Sequence, residues 1–330
     1  MYNKFLFAII TVLFFSVSNA QEKVVKTFHI ASPGGWDYIA DNNGKLYVSH
    51  GTQVNILNDK TGDSIGVIPN TTGVHGIAFD NEVNKGFTSN GRLANVTVFD
   101  LGTNQIITQV VTGEGPDAIF FDSWSKKIIT CNGRAKNLTV IDPVSYKVVA
   151  TIELPGRPEE PNSDGEGKLY VNLEDKSEIA EIDMKTFTVL NHWSIAPGEG
   201  PTGLAMDRKT KRLFAGCDKL LMVIDATNGK IIDKLPIGDG CDGVAFDNEN
   251  KMIYASCGEG VVTAIKEKSA NEFKVKGNII TKRGARTITI NEHTHTLYLP
   301  TADFEQPDPN APKNTRPKMV AGSFQILVVQ

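Results

Sequence analysis

A short apolar run that ends in an acidic residue or asparagine recurs seven times along this chain of 330 residues. Spacings between the final residues are 39, 42, 42, 43, 40 and 44, and those residues are Asp41, Asp80, Asp122, Asp164, Asp207, Asp247 and Asn291. A period of about 40 to 45 residues with strand-like units is typical of β-propeller blades. The repeats therefore predict one seven-bladed domain, although length alone would favour two domains.

Every repeat continues with further short strands separated by polar turns. Examples are a second strand at Lys45–Ser49, a third at Leu138–Asp142 and a fourth at Lys147–Leu154. β-Branched residues between Gly, Asn and Asp turns favour four-stranded antiparallel blades, and no segment has the 3.6-residue periodicity of a helix. The sequence therefore predicts an all-β protein.

The last repeat lacks a strand. From Gly284 onward it contains three strands, while residues 24–30 near the N-terminus resemble the fourth strand of the third repeat. We therefore expect the N-terminal strand to complete the C-terminal blade, which closes the ring and protects its sheet edges.

The first twenty residues have the pattern of a cleavable signal peptide. Lys4 precedes the apolar run Phe5–Val17, and Ser18-Asn19-Ala20 offers small residues before the expected cleavage after Ala20. Gln21 in place of Cys argues against a lipoprotein, and no later run approaches the 20 or so apolar residues of a membrane span. We expect residues 21–330 to form a periplasmic or secreted propeller without a transmembrane segment.

The charge of the chain excludes one class of partner. The formal net charge of −4 becomes about −5 without Lys4, and no basic cluster offers a footprint for nucleic acid phosphates. We expect a monomer that binds a small polar ligand or a periplasmic or cell-surface protein.

Several segments resemble the YVTN-type β-propeller repeat family, specifically its YncE-like exported members. The resemblance spans residues 22–330 and rests on Gly34–Tyr38, Leu46–Gly51, Asn-Gly-Arg at 90–92 and 132–134, Arg283–Thr287 and Pro300–Phe304. It implies a seven-bladed periplasmic propeller without a single agreed activity, whose members are often described as binding or surface-associated proteins.

Alignment of the repeats predicts a ring of polar residues at the channel mouth. Five residues before each repeat end, or four in the first repeat, lie Asp37, His75, Asp117, Glu159, Thr202, Asp242 and Arg286. Carboxylates gathered in this way repel one another unless a metal, water or polar ligand compensates. The alternative is that they solvate a wet channel and cap loop amides.

A second ring is expected where the second strands end, on the same face. Its members are His50, Asn90, Asn132, Leu173, Cys217, Cys257 and Thr301. Arg92 and Arg134 follow two of them and are suited to bind a carboxylate or phosphate, whereas blade four has Glu174-Asp175 instead. An arginine–carboxylate network that fixes the loops is the alternative.

Asp37, His50 and His75 are expected to lie on adjacent blades. Two histidines and one carboxylate suit a divalent transition metal with an open coordination position, so a divalent metal is the cofactor considered. No HxH or HxxxH spacing supports the site, and a loop histidine that only forms hydrogen bonds is the alternative.

The four cysteines form no CxxC motif. Cys217, Cys241 and Cys257 map to one face of blades five and six, so an oxidising compartment would permit a disulfide from Cys241 to either Cys217 or Cys257. Buried free thiols are the alternative, and Cys131 has no assigned partner.

A long Pro-rich loop spans residues 303–322 within blade seven, on the face of both rings. Loops of this length are often functional. A lid, a partner-docking segment and a merely solvated connection are all consistent with its sequence.

Three classes of function remain. No nucleophile–base motif is present, which favours a ligand- or protein-binding module that uses the polar face around the channel. The alternative is a metal-dependent, lactonase-like hydrolase with its site in the central funnel. A structural or cell-surface component is the third.

Overall fold

Seven four-stranded antiparallel sheets form the protein in a computed structural model that describes residues 22–306 and 318–330. The innermost strands contact one another in cyclic order, and the last returns to the first. The prediction of an all-β, seven-bladed propeller is confirmed. The predicted signal peptide lies outside the described residues, as does 307–317 of the Pro-rich loop.

The strands follow chain order within the blades, apart from β1 (Val24–His29). Blade one has β2 (Trp36–Asn42), β3 (Lys45–His50), β4 (Gln53–Asn58) and β5 (Ser64–Ile68). Blade two has β6 (Val74–Asp80), β7 (Lys85–Asn90), β8 (Asn95–Asp100) and β9 (Ile106–Val111). Blade three has β10 (Pro116–Asp122), β11 (Lys127–Asn132), β12 (Asn137–Ile141) and β13 (Val148–Glu153).

Blade four has β14 (Pro158–Ser163), β15 (Lys168–Leu173), β16 (Glu178–Asp183) and β17 (Thr188–Ser194). Blade five has β18 (Leu204–Asp207), β19 (Arg212–Gly216), β20 (Leu220–Asp225) and β21 (Ile231–Pro236). Blade six has β22 (Cys241–Asp247), β23 (Met252–Cys257), β24 (Val261–Ser269) and β25 (Glu272–Ile280). Blade seven has β26 (Thr289–Asn291), β27 (Thr296–Thr301) and β28 (Gln325–Val329), and a short 3-10 turn, Glu174–Lys176, follows β15.

The repeated acidic residue has a structural role at the end of the innermost strand. Asp122 and Asp247 are 1% exposed, and their carboxylates accept backbone N–H groups of the following turns. A short side chain that caps its own turn explains why Asp or Asn recurs there.

Strand β1 closes the ring, as predicted, because it pairs with β28 and makes the outer strand of blade seven. Phe28 of β1 is 4% exposed and packs in one cluster with Leu46 and Phe324. Closure therefore joins the two ends of the chain by a ladder and by apolar packing.

Blade six carries a hairpin that reaches blade five. Its strands β24 and β25 have nine residues each, and the turn between them meets Arg212, which donates to Ala270 O at 2.7 Å and to Asn271 Oδ1 at 3.2 Å. Beside it, the buried Glu267 accepts a hydrogen bond from Thr210 and shares one with Asp207. The hairpin thus fastens one blade to its neighbour.

All four cysteines are buried free thiols in this structure, and the disulfide from Cys241 to Cys217 or Cys257 stays a prediction. Cys241 and Cys257 are register partners on β22 and β23, and their thiols donate to the Gly243 and Ala255 carbonyls. The neighbouring Cys257 thiol and then burial raise the pKa of Cys241, which disfavours the thiolate that disulfide exchange requires.

No helix in the described part of the chain is long and apolar enough to cross a membrane.

We predict that Phe28→Ala lowers the free energy of unfolding by about 3–5 kcal/mol, because it leaves a void in the closing blade. Val25→Ala in the same strand, where the side chain is 46% exposed, is the control and should change stability by less than about 0.5 kcal/mol. Urea unfolding measures both, and equal effects of the two substitutions would show that closure does not depend on packing by β1.

We predict a pH dependence from Glu267, whose pKa is raised from 4.5 to about 7 by burial and then by the hydrogen bond with Asp207. The folded protein holds this proton more tightly than the unfolded chain. The stabilisation is therefore complete below pH 4.5 and is lost as the pH rises to about 7. In urea unfolding, the Glu267→Gln variant should lose less stability over this pH interval than the unsubstituted protein. The control Glu272→Gln, in the same hairpin, should lose as much stability as the unsubstituted protein. Parallel curves for Glu267→Gln and the unsubstituted protein would refute the assignment.

Candidate functional site

The innermost strands share an irregularity at the face where they begin, which we call the upper face. In blades one to four and six the register with the second strand shifts just after the first residue of the innermost strand. The predicted ring residue is the second residue of each of these strands. A bulge interrupts pairing and turns a side chain away from the sheet plane, so the bulges direct the ring residues toward the channel mouth.

The backbone of several ring residues is held by the preceding blade. The Ser89 hydroxyl donates to the Asp117 carbonyl, Thr287 donates to the Asp37 carbonyl, and Ser256 donates to the Arg286 carbonyl. Asn172 likewise donates to the Thr202 carbonyl at 2.9 Å. These bonds satisfy carbonyl groups at the bulges of blades one and three, for Asp37 and Asp117, and in the loops before β18 and β26, for Thr202 and Arg286.

The side chains of five ring residues form one ion-pair network across five blades. Arg286 contacts Asp242 Oδ2 at 2.5 Å through Nε and Asp37 Oδ1 at 3.0 Å through Nη2. His75 Nδ1 donates to Asp37 Oδ2 at 2.5 Å and lies 3.5 Å from Asp117 Oδ1. Charge therefore alternates from blade six through seven, one and two to blade three.

Burial alone lowers the pKa of His75, but the hydrogen bond with Asp37 and the charges of Asp117 and Asp37 outweigh it, so the pKa is raised. Burial is the largest cause of the raised pKa of Asp242, and it is opposed by Arg286. The network thus favours a protonated imidazole between two carboxylates.

The alternation of charge around the ring ends at blades four and five. Glu159 has its nearest cation in its own blade, at 3.3 Å from Arg157 Nε, and burial together with Asp117 raises its pKa. Thr202 is uncharged and donates to the Cys241 carbonyl at 2.7 Å. The side of the ring from Asp117 to Glu159 consequently has adjacent carboxyl groups, and burial also raises the pKa of Asp117.

A cavity of about 700 Å³ opens above this ring, which we call the channel-mouth cavity. Charged residues of both signs make up half of its lining, while Trp36, Phe304 and Met319 form an apolar side. Phe304 and Met319 are bridge partners near the two ends of the Pro-rich loop, so the described ends of that loop border the cavity. The other lining residues are Gly35, Asp37, Tyr38, Asp117, Arg157, Glu159, Glu174, Thr202, Asp242, Gly258, Arg283, Gly284 and Arg286.

Three ring residues have the donor atoms of a metal site. One ligand atom each from Asp37, His75 and Asp117 lies within 4.8 Å of the others. One imidazole and two carboxylates suit a divalent transition metal and leave coordination positions for water or substrate. The donor chemistry fits, although Asp37 also binds Arg286.

His50 does not belong to this group, and its predicted roles in metal and ligand binding are not supported by its position. It is 0% exposed and stacks on Phe324 with ring centroids 4.0 Å apart. Its Nδ1 lies 2.7 Å from Ser32 Oγ, and its Nε2 lies 2.8 Å from the Gly34 carbonyl oxygen. The whole second ring is buried because the turns of the upper face cover the ends of the second strands.

Arg92 and Arg134 are exposed on the upper face and do not line the channel-mouth cavity. Arg157 and Arg283 line it instead, and the repeat alignment missed them because they lie in loops whose lengths differ between blades. Glu174 of the cavity pairs with Arg157, so the predicted acidic segment of blade four is locally neutralised.

The fold is shared with a chain of the structure "Kuenenia stuttgartiensis Hydrazine Synthase". The TM-score is 0.72 at 16% sequence identity, and the match covers 82% of this chain and 94% of that chain. At this identity the likeness shows the fold alone. No family model and no curated protein matches, so the resemblance to YVTN-type repeats stays a prediction.

We predict that Arg286→Met destabilises the protein by about 1–2 kcal/mol, because Asp37 and Asp242 lose their shared cation. The side chain is 35% exposed, so solvent screens part of the effect. Arg283→Met is the matched control, since this neighbouring arginine makes no ion pair among residues 22–306 and 318–330, and it should change stability by less than about 0.5 kcal/mol. Urea unfolding measures both, and a neutral Arg286→Met would mean that the network contributes nothing to stability.

Proposed function

We propose that this protein is a binding module that takes a small polar ligand in the channel-mouth cavity. The observation that carries the proposal is the convergence of charged groups from separate blades on one cavity of about 700 Å³. Such a volume is within the range of small-molecule sites. A second cavity of about 650 Å³ beside Met252, Tyr254 and Ile279 has no comparable gathering of charges.

The arrangement suits recognition of polar groups. Ion pairs and the backbone bonds from preceding blades hold the ring side chains in place, so little ordering is required on binding. The adjacent carboxyl groups of Asp117 and Glu159 accept a donor or a cationic group, whereas Arg283 offers a guanidinium at the cavity. The apolar side at Trp36 and Phe304 contacts the carbon skeleton of the same ligand.

We propose further that the protein acts outside the cytoplasm, as the signal peptide predicted for residues 1–20 implies. In this setting the bound partner is a periplasmic or extracellular solute, or a group on a periplasmic or cell-surface protein.

A metal-dependent hydrolase is the second candidate, and the donor group of Asp37, His75 and Asp117 favours it. A divalent metal bound there would supply a water or hydroxide nucleophile near neutral pH. Neutral His75 would then be a ligand through Nδ1, and the carboxylates would complete the set. The adjacent Arg286 would orient Asp37 through its hydrogen bond.

The test is native mass spectrometry with elemental analysis of the protein purified without chelators. We expect a retained small molecule, and we expect His75→Gln with Asp242→Asn to abolish retention. The matched control is His29→Gln with Asp63→Asn, an exposed pair outside the cavity, and it should retain the molecule.

The outcomes separate the two candidates. A stoichiometric metal that is lost in Asp117→Asn would favour the hydrolase, and lactone and ester substrates would be assayed next. His75→Gln and Asp242→Asn also break ion pairs of the network, so Phe28→Ala, which lowers stability outside the cavity, is a second control. Equal loss of retention in Phe28→Ala would mean that retention reports the stability of the fold and that the ring is structural. A protein that carries neither a metal nor a small molecule, and that binds none from a solute library, would refute ligand binding in the cavity.

A further inference from the structure

Arg92 and Arg134 are built into the upper face in the same way on adjacent blades. Each follows an Asn-Gly pair at the end of a second strand, and the glycine N–H donates to the carbonyl of Gly73 or Gly115 in the loop before the innermost strand. Gly73 and Gly115 have φ values of +70° and +64°, a conformation that favours glycine.

The two glycines also make room for the arginine side chains. A Cβ atom on Gly73 would lie 2.6 Å from Arg92 Cγ, and one on Gly115 would lie 2.9 Å from Arg134 Cγ. The aliphatic part of each arginine therefore packs on a glycine backbone. This packing restricts the side chain before any partner binds, which lowers the entropy cost of using the guanidinium.

Neither guanidinium makes an ion pair within residues 22–306 and 318–330. Neighbouring cations differ in this respect, since Lys136 contacts Asp175 at 2.7 Å and Arg157 contacts Glu174 and Glu159. Two exposed, pre-positioned arginines thus keep their full capacity for carboxylates, which they bind through paired hydrogen bonds.

Exposed apolar side chains lie in the same blade as Arg92. Leu93 follows Arg92 in the turn and is 43% exposed, and Val111, which is 76% exposed, is the register partner of Asn95 at the end of that turn. A Cβ atom on Gly91 would lie 3.2 Å from the Pro116 carbonyl oxygen, and Pro116 is the register partner of Asn132. The Arg92 turn therefore lies next to the strand end at which the Arg134 turn begins. Arginine next to exposed aliphatic groups is typical of protein interfaces.

We propose that Arg92, Leu93, Val111 and Arg134 form a docking surface for an acidic protein segment that also carries an aliphatic residue. Carboxylates of the segment bind the two guanidinium groups, and its aliphatic side chain covers Leu93 and Val111. This surface is separate from the channel-mouth cavity, so it adds a protein partner to the proposed ligand site. A nucleic acid fits less well, because the chain as a whole carries a net charge of −4.

The probe is a short fluorescent peptide in which glutamates flank two leucines, measured by fluorescence anisotropy. We expect binding that weakens with salt, and we expect Arg92→Gln with Arg134→Gln to raise Kd by at least about tenfold. Arg92→Lys with Arg134→Lys should give a Kd between those of the unsubstituted protein and the glutamine variant, because the charge remains but the paired hydrogen bonds are lost. The matched control is Lys185→Gln with Lys230→Gln, which removes two exposed charges elsewhere and should leave Kd unchanged.

Further variants isolate the surface. Leu93→Ser with Val111→Ser should weaken binding about threefold or more, and Arg286→Met in the cavity should not affect it. The proposal is overturned if the peptide binds no better than a version with glutamine in place of glutamate, or if the double arginine variant binds equally well. It is also overturned if duplex DNA or heparin binds more tightly than the peptide through the same arginines, since the surface would then recognise polyanions in general.

Discussion

The pairing of β1 with β28 is the contact on which the rest of the structure depends, because a propeller blade buries both faces only when the ring is closed. The same junction assembles part of the candidate site. Asp37 belongs to blade one and Arg286 to blade seven, and the two meet only across the closure. Thr287 adds a hydrogen bond from blade seven to the Asp37 carbonyl. Ring closure therefore also brings together two members of the channel-mouth network.

Positive and negative charges of the network are balanced on one side of the channel and unbalanced on the other. From Asp242 to Asp117 each carboxylate has a cation from a neighbouring blade, which is a sufficient structural reason for those residues. Glu159 and Thr202 break the alternation, because Glu159 pairs with Arg157 of its own blade and Thr202 is uncharged. The two adjacent carboxyl groups of Asp117 and Glu159 on this side are the reason that we propose blades four and five as the side from which a ligand is recognised.

Much of the architecture follows from the sequence, since seven repeats of blade length give seven blades and the short seventh repeat indicates how the ring closes. The ring residues were also predictable, because residues at equal positions in repeats occupy equal positions around an axis. The contacts that individual side chains make could not be predicted in this way. His50 has the donor atoms of a metal ligand, but it is buried against Phe324 and both of its ring nitrogens lie within hydrogen-bond distance of protein groups. The repeat alignment did not identify Arg157, because its loop differs in length from those of the other blades. The spacing of Cys241 and Cys257 in the sequence likewise does not indicate that their thiols are buried and free in this structure.

Hydrogen bonds to the carbonyl groups of ring residues fix where those residues lie without depending on which side chain they carry. The donors are Ser89, Asn172, Ser256 and Thr287. Each bond holds the main chain, and none uses the side chain that faces the channel. In these four blades the ring residue can therefore be exchanged during evolution while the path of the backbone stays fixed. A scaffold of this kind can acquire a new ligand preference by single substitutions, and propellers that share this frame need have no ligand in common.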